Sequence, residues 1–367
     1  MFHSNWFKKF VLPGLIFQSL VIGGGYGTGR ELVEFFLLLG PKSGLYGMII
    51  SLLIWCIVLS CTFDLSRKFN TYDYRSFLKK ILGKGWIFYE ITYLVGMVLV
   101  VSVLGSASGN LLMDMFDIPT IYGTLIMIFF IGIFSYFGSK LVEIFLSYWS
   151  IALYSVFLML IIFIGSSYNE EIFSNLFLVE KESPWIENGI KYAAYNVGIV
   201  PAMLFCLKNI KTRKEAIISG SLGGLLAIIP GFMIYFSLIS HYPQINFETI
   251  PTNFLLNKID SDLFKIIFQI ILFGTFVETG LGLIHGFNER LAAWLREEKK
   301  MILSGFNRLI VSSSILLVCI IFAENFGLIN LISKGYGTLT WAYWIIFVIP
   351  VVFLAFKFFF TKQINAI

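Results

Sequence analysis

Three short stretches hold residues able to do chemistry in an otherwise apolar chain. The first, Gln18 to Glu31, reads Gln-Ser-Leu-Val-Ile-Gly-Gly-Gly-Tyr-Gly-Thr-Gly-Arg-Glu. Glycine costs about 1 kcal/mol in a helix relative to alanine, so Gly23, Gly24, Gly25, Tyr26 and Gly27 are predicted to leave the helix and turn their carbonyls toward a polar ligand. Packing of small residues needs only spaced glycines, and this run exceeds that need. The second stretch, Ala193 to Pro201, carries Tyr195, Asn196 and Gly198 ahead of a proline that removes a backbone donor and crowds the preceding turn. The third, Phe273 to Gly282, places Thr275, Glu278, Thr279 and Gly282 on one helical face through i, i+3, i+4 and i+7 spacing. That face offers three oxygen-bearing side chains, suited to a hard cation such as Na⁺ or to a site that holds a proton.

Other chemistries are excluded by spacing. Thr28 or Arg30 falls where a GxGxxG register needs its third glycine, and no P-loop Lys-Ser/Thr follows. Gly25-Tyr26-Gly27 has the letters of a potassium filter, but it lies within the N-terminal span and runs into Arg30-Glu31, not between two pore helices. His285 has Glu289 one turn later without a second histidine, so HExxH metal chemistry is absent and a packed or solvated imidazole is expected. Cys56, Cys61, Cys206 and Cys319 sit in or beside apolar runs without metal or disulfide spacing. Without paired Asp, HExxH or Ser-His constellations, no enzyme is expected.

The elements that position these residues follow from composition. Of 367 residues, 57% are hydrophobic and only 13% charged, against roughly 25% charged in a soluble domain. One water-facing fold of this size cannot bury so much apolar surface, so lipid must solvate the excess. Windows of about 19 residues place apolar spans near 10–38, 43–65, 86–112, 119–138, 141–165, 187–207, 215–240, 263–287, 302–323 and 336–360, which is ten predicted transmembrane helices. The polar stretches from Ser166 to Trp185 and from Pro243 to Asp262 are long enough for short surface helices. The N-terminal Lys8-Lys9 precede a span without a small-x-small cleavage site, so that span is expected to stay as an anchor.

Lys and Arg cluster in alternate loops, as in Arg67-Lys68, Lys79-Lys80, Lys208 to Lys214 and Arg296 to Lys300, while Glu170, Glu171, Glu180 and Glu182 crowd an intervening one. Cytoplasmic loops retain positive charge, so both termini are expected inside, and the +5 net charge speaks to topology and not to nucleic acid. Five spans starting inside (about 10–165) and five starting outside (about 187–360) form halves of opposite topology within one domain covering 1–367. Interruptions in matching spans of inverted halves are a sequence pointer to a carrier with a midplane binding site. Arg30 and Glu31, just beyond the first break, are expected at an outer gate, with Arg30 either paired to a carboxylate such as Glu324 or snorkelling. Glu90, Lys140 and Glu143 read as interfacial anchors. Ser102, Ser106, Ser108 and Asn110 could line a polar path, and Gly335-Tyr336-Gly337-Thr338 repeats the tetrapeptide at 25–28 and could loosen the last span.

With Gly23-Gly24-Gly25-Tyr26-Gly27-Thr28-Gly29-Arg30-Glu31-Leu32-Val33-Glu34-Phe35-Phe36 and Tyr195-Asn196 in view, the chain resembles the YkvI-like membrane proteins of the amino acid–polyamine–organocation superfamily. The resemblance implies an all-α polytopic LeuT-like fold: two inverted five-helix repeats, helices one and six unwound around the substrate, and helix eight beside helix one at a sodium site. It further implies carbonyls near Gly23 to Gly25 and the hydroxyls of Thr275 and Thr279 as cation ligands. Glu278 in place of a neighbouring hydroxyl departs from the usual sodium pattern and brings in proton coupling as a competitor. The expected function is cation-coupled secondary transport (Na⁺ or H⁺, with no other cofactor) of a small amino-acid-like or amine solute, with Tyr26, Tyr195 and Asn196 shaping the pocket. The alternative is a membrane sensor that binds a small ligand without moving it.

Overall fold

The computed structural model describes residues 4–137, 139–178 and 183–364. Glu180, Lys181 and Glu182 of the acidic loop lie outside the described residues, as do the side chains of Lys140, Glu143 and Thr338, on which expectations of topology, anchoring and helix loosening fell.

Every regular element among the described residues is helical. The first half runs α1 (Asn5–Phe10), α2 (Leu12–Val21), the single turn α3 (Gly24–Gly27), α4 (Arg30–Phe35), α5 (Pro41–Phe69), α6 (Tyr74–Leu82), α7 (Trp86–Phe116), α8 (Thr120–Ser135) and α9 (Ser139–Ser167). After α10 (Asn169–Leu176) come α11 (Trp185–Gly198), a 3₁₀ segment Val200–Asn209, α12 (Arg213–Ile239), α13 (Pro251–Leu256), α14 (Asp262–Trp294) and α15 (Gly305–Phe326). The chain ends with α16 (Leu328–Asn330), a π-helical segment Leu331–Tyr336, α17 (Gly337–Tyr343), a second π segment Trp344–Val348 and α18 (Ile349–Ile364).

Among the described residues, seven helices are long and apolar enough to cross a membrane, or eight when the bent pair Trp185–Gly198 and Val200–Asn209 is taken as one span. Two predicted spans fall short of that measure for different reasons. The first is divided among α2, α3 and α4, and the fourth is the 16-residue helix α8. Lipid-facing surfaces are apolar, with Phe129, Ile162, Leu317, Ile321 and Phe353 all more than half exposed. This is a membrane protein.

The centre is built by α2 and α14, which lie against one another and against α9, with α12 closing the far side of α2 and α7 and α8 flanking α14. Lipid tails are as apolar as leucine, so helices in a membrane associate chiefly through close packing and polar contacts. The contact of α5 with α12 shows this directly: a methyl group on Gly220 would stand 2.4 Å from the Ser60 backbone nitrogen. The four cysteines are free thiols, two of them buried.

Of the two polar loops expected to hold surface helices, one differs. α10 is one such helix, but α13 is mostly buried and sits on the first-span break, where the Thr252 amide donates to the Thr28 carbonyl at 2.9 Å. The cause is the unpaired backbone of the break, which recruits the nearest loop that can donate to it.

Replacing Gly220 by alanine is expected to destabilise the protein by about 1–3 kcal/mol, because overpacking against backbone cannot be relieved by a side-chain rotation. Gly165→Ala, where a methyl group meets nothing within 4 Å, should be neutral or stabilising. Thermal unfolding of the two variants in detergent checks the contrast.

Candidate functional site

The N-terminal span loses its helix where the glycines begin. After Val21, Ile22 (φ −80°, ψ 78°) and Gly23 (φ −107°, ψ −152°) leave helical geometry, α3 makes one turn, and Gly29 adopts φ +79°, a left-handed value that favours glycine. Within a membrane every freed carbonyl needs a partner from the protein. The Thr279 hydroxyl meets two of them, Ser19 O at 2.6 Å and Ile22 O at 2.9 Å. The Thr28 hydroxyl takes Gly24 O at 2.5 Å and Gly25 O at 3.1 Å, and the Thr252 hydroxyl reaches Gly27 O at 3.3 Å.

This geometry moves the expected carbonyl set. The oxygens that Thr279 faces belong to Ser19 and Ile22, while those of Gly24 and Gly25 are held by Thr28. Gly23 and Gly24 act instead by having no side chain: a methyl on Gly23 would lie 3.2 Å from the Thr279 methyl, and one on Gly24 would lie 3.2 Å from the α7 backbone at Val103 and Leu104.

Glu278 lies one residue before Thr279 and is completely buried. Its Oε1 accepts the Ser19 hydroxyl at 2.5 Å and the Ser150 hydroxyl at 3.2 Å, and those two hydroxyls are 3.0 Å apart. Its Oε2 has no hydrogen-bond partner among the described residues. Residues from α2, α9 and α14 thus assemble a small all-oxygen cluster, able to hold a proton or a hard monovalent cation. Thr275 does not share it: its hydroxyl donates to Ile271 O at 2.8 Å and accepts the Trp149 indole N–H at 3.3 Å. No group of three His, Cys, Asp or Glu able to hold a metal occurs among the described residues. Ser19 and Ser150 were missed as site residues; a single buried serine is commonplace, and only the fold brings these two onto one carboxylate.

The second interruption falls later than Asn196. α11 continues to Gly198 and then turns by 59° into the 3₁₀ segment, at Ile199 and the proline beyond it. Asn196 remains helical and its amide donates to Tyr192 O at 2.9 Å. The Gly198 carbonyl accepts from the Tyr89 phenol at 2.8 Å, and a methyl on Gly198 would strike the Tyr343 ring.

Tyr195 donates to the Glu31 carboxylate, joining α11 to α4. Arg30 and Glu31 do not pair. The Arg30 guanidinium binds Glu34 and donates to the carbonyls of Asn246 at 2.7 Å and Glu248 at 2.9 Å, so it locks the loop before α13. It does not reach Glu324, which accepts instead from Thr124 at 3.3 Å. Tyr26 is bonded to α12 and not to Asn196. Pro230 within α12 has no N–H for the Leu226 carbonyl, which the Tyr154 phenol takes, and the Tyr26 phenol donates to the next carbonyl, Ala227 O, at 3.0 Å.

The remaining candidates are structural. Glu90 is buried and ion-paired with Arg290, so it is no interfacial anchor. His285 is fully buried, edge-on to Phe205, with Glu289 at 3.9 Å. Ser102, Ser108 and Asn110 each bond to carbonyls of their own helix. Gly335 and Tyr336 end a π-helical segment, a wider turn than an α-helix makes.

This architecture is the LeuT-type fold. The structure superposes with a TM-score of 0.64 on a Na⁺-coupled sialic acid symporter in its substrate-bound outward-open state, at 14% identity over 90% of this chain and 77% of that one. It superposes equally well on MhsT in complex with L-phenylalanine, with a TM-score of 0.63 at 15% identity over 94% and 96% of the chains. In sequence the chain is similar to the uncharacterized membrane protein YkvI of Bacillus subtilis (strain 168), at 24% identity over 296 residues, covering 78% of this chain and 82% of that protein. No family model matches the sequence.

Thr279→Val should cost about 1–3 kcal/mol, because the Ser19 and Ile22 carbonyls lose a donor in a site closed to water. Thr279→Ser should restore most of that stability. The thermal midpoints of the purified variants give the comparison.

Proposed function

We propose that the protein is a cation-coupled secondary transporter of a small amino-acid-like or amine solute, working by alternating access in the plasma membrane. The observation that carries this reading is the cluster of Glu278, Thr279, Ser19 and Ser150, which ties α14 to the end of the first half-helix. An occupant of that cluster feels the first-span break directly, because Thr279 holds the carbonyls that the break sets free. Loading or unloading it would bias α2 and α14 between two arrangements, which is the coupling a symporter needs.

The fuller architecture belongs to the same proposal. The ten crossings form two inverted repeats of about 10–165 and 187–360, with the first and sixth interrupted and both termini in the cytoplasm. The first crossing is α2 to α4, the fourth α8, and the sixth α11 with its 3₁₀ continuation. The basic loops support this orientation, with Lys9 paired to Glu215, and Arg67 and Arg213 both on Asp64, at one face. The relatives in fold support transport as the activity, since two of them are described as a Na⁺-coupled symporter and an amino-acid complex. Cargo would lie between the break at Gly23 to Gly29 and the Tyr195 face of α11, with Gly25, which has Glu31 against it, and Gly27, which has Leu272 against it, in the near wall and Asn196 and Gly198 shaping the far side. Glu278 and Thr279 would carry the coupling ion, Na⁺ or H⁺, with Thr275 one turn away.

The test is uptake of labelled amino acids and amines into proteoliposomes under an imposed Na⁺ or H⁺ gradient. Accumulation driven by one gradient is expected, and Glu278→Gln should reduce it by about tenfold or more, in the range of ordinary coupling free energies. Saturable binding without net flux in the wild type, or driven uptake unchanged in Glu278→Gln, would overturn the reading.

A further inference from the structure

Beside the break, and apart from the Glu278 cluster, a second buried carboxylate stands among aromatic rings. Glu31 is only 3% exposed. It accepts the Tyr195 phenol, and its Oε2 lies so close to the chain at Gly25 that a methyl group there would be 2.6 Å away. The carboxylate therefore rests against the glycine backbone of the break, where a side chain on residue 25 would displace it. Its neighbour in sequence cannot neutralise it, because Arg30 is committed to Glu34 and to two loop carbonyls. Among the described residues no Lys, Arg or His forms an ion pair with Glu31.

The ring of Tyr195, whose phenol Glu31 holds, is packed by others face to face and edge to face. Tyr336 stacks on Tyr195 with centroids 4.7 Å apart, Phe35 lies 5.6 Å from Tyr195, and Tyr192 meets Tyr195 at 88° with centroids 5.5 Å apart. Tyr336 reaches Tyr195 from the last turn of the π-helical segment Leu331–Tyr336. Such wider turns recur at functional sites. A buried carboxylate without a cation is costly, whereas a carboxylate bordered by aromatic faces is complementary to an ammonium group: one supplies charge and hydrogen-bond acceptors, the other cation–π attraction. An anionic occupant would be repelled by the same carboxylate.

We propose that Glu31, framed by Tyr195, Tyr336 and Phe35, is the recognition site for the ammonium group of an organic cation, so that the cargo is an amine and a free carboxylate is not required of it. This rests on the reading that the first-span break holds the cargo, and it narrows the solute class. It also reassigns Glu31 from a gate to a binding residue.

The experiment is ligand-dependent thermal stabilisation of the full-length purified protein with methylammonium, isoamylamine, phenethylamine and putrescine, alongside leucine and isocaproate as the zwitterionic and anionic counterparts of isoamylamine. At least one amine should stabilise the wild type, isocaproate should not, and Glu31→Gln should weaken the amine about tenfold or more, the loss expected of a charge-assisted hydrogen bond. Tyr336→Leu, which leaves the carboxylate in place, should weaken it about fivefold and decides the matter where Glu31→Gln fails to fold. Stabilisation by none of the amines, equal stabilisation by isocaproate, or unchanged affinity in the folded variants would overturn the proposal. Glu31-dependent amine binding without gradient-driven flux would remove transport and leave this site standing. Gradient-driven amine uptake that keeps its half-saturation in Glu31→Gln would do the reverse.

Discussion

The structure depends on the way a broken backbone is satisfied where no water can reach it. A helix crossing lipid meets its own hydrogen bonds; once it stops at Val21, the amides of Ile22 and Gly23 go to Gln18 O and Val21 O, and the Ser19 and Ile22 carbonyls are left for a partner from elsewhere. One hydroxyl, on Thr279, answers for two of them. That places a demand on α14 that packing alone does not: a residue with a hydroxyl, at one register, on the face turned to α2. Glu278 follows from the same placement, because its position on α14 brings its carboxylate to Ser19, one of the residues whose carbonyl Thr279 holds. Backbone continuity and buried charge are therefore one problem with one solution, spread over α2, α9 and α14.

The same reasoning explains the rest of the interior. α13, which would otherwise be a surface loop, is drawn in by the Gly27 and Thr28 carbonyls. Tyr26 and Tyr154 converge on α12 because Pro230 cannot hydrogen-bond the preceding turn. Tyr89 reaches the Gly198 carbonyl where α11 gives way to 3₁₀ geometry. In each case a helix defect is met by a phenol or a hydroxyl from another helix, so the defects are also the points at which distant parts of the chain are tied together.

That economy marks what could be read from the sequence. The glycine run and Pro201 are local features with local consequences, and the break after Val21 follows from them. Glu278 and Thr279 were legible because a carboxylate inside an apolar window needs an explanation wherever it stands. Ser19, Ser150 and the partner of Arg30 were not, since their roles arise from which helices lie side by side. Gly24 and Gly25 looked like ligands because their carbonyls were free in the sequence, yet Thr28, three and four residues on, was near enough to claim both. Asn196 looked like a breaker because it often competes for backbone bonds; on α11 its amide simply bonds one turn back.

Two buried carboxylates, Glu278 and Glu31, stand beside the Gly23 to Gly29 break in different surroundings. Among the described residues Glu278 accepts hydrogen bonds only from serine hydroxyls, an all-oxygen setting that suits a proton or a hard ion. Glu31 accepts the phenol of Tyr195, whose ring stacks on Tyr336, surroundings that on the proposed reading suit an organic ammonium. Glu31 rests against Gly25 within that segment, while Glu278 stands next to Thr279, which holds the Ser19 and Ile22 carbonyls just ahead of it, so the two carboxylates meet the break at its two ends.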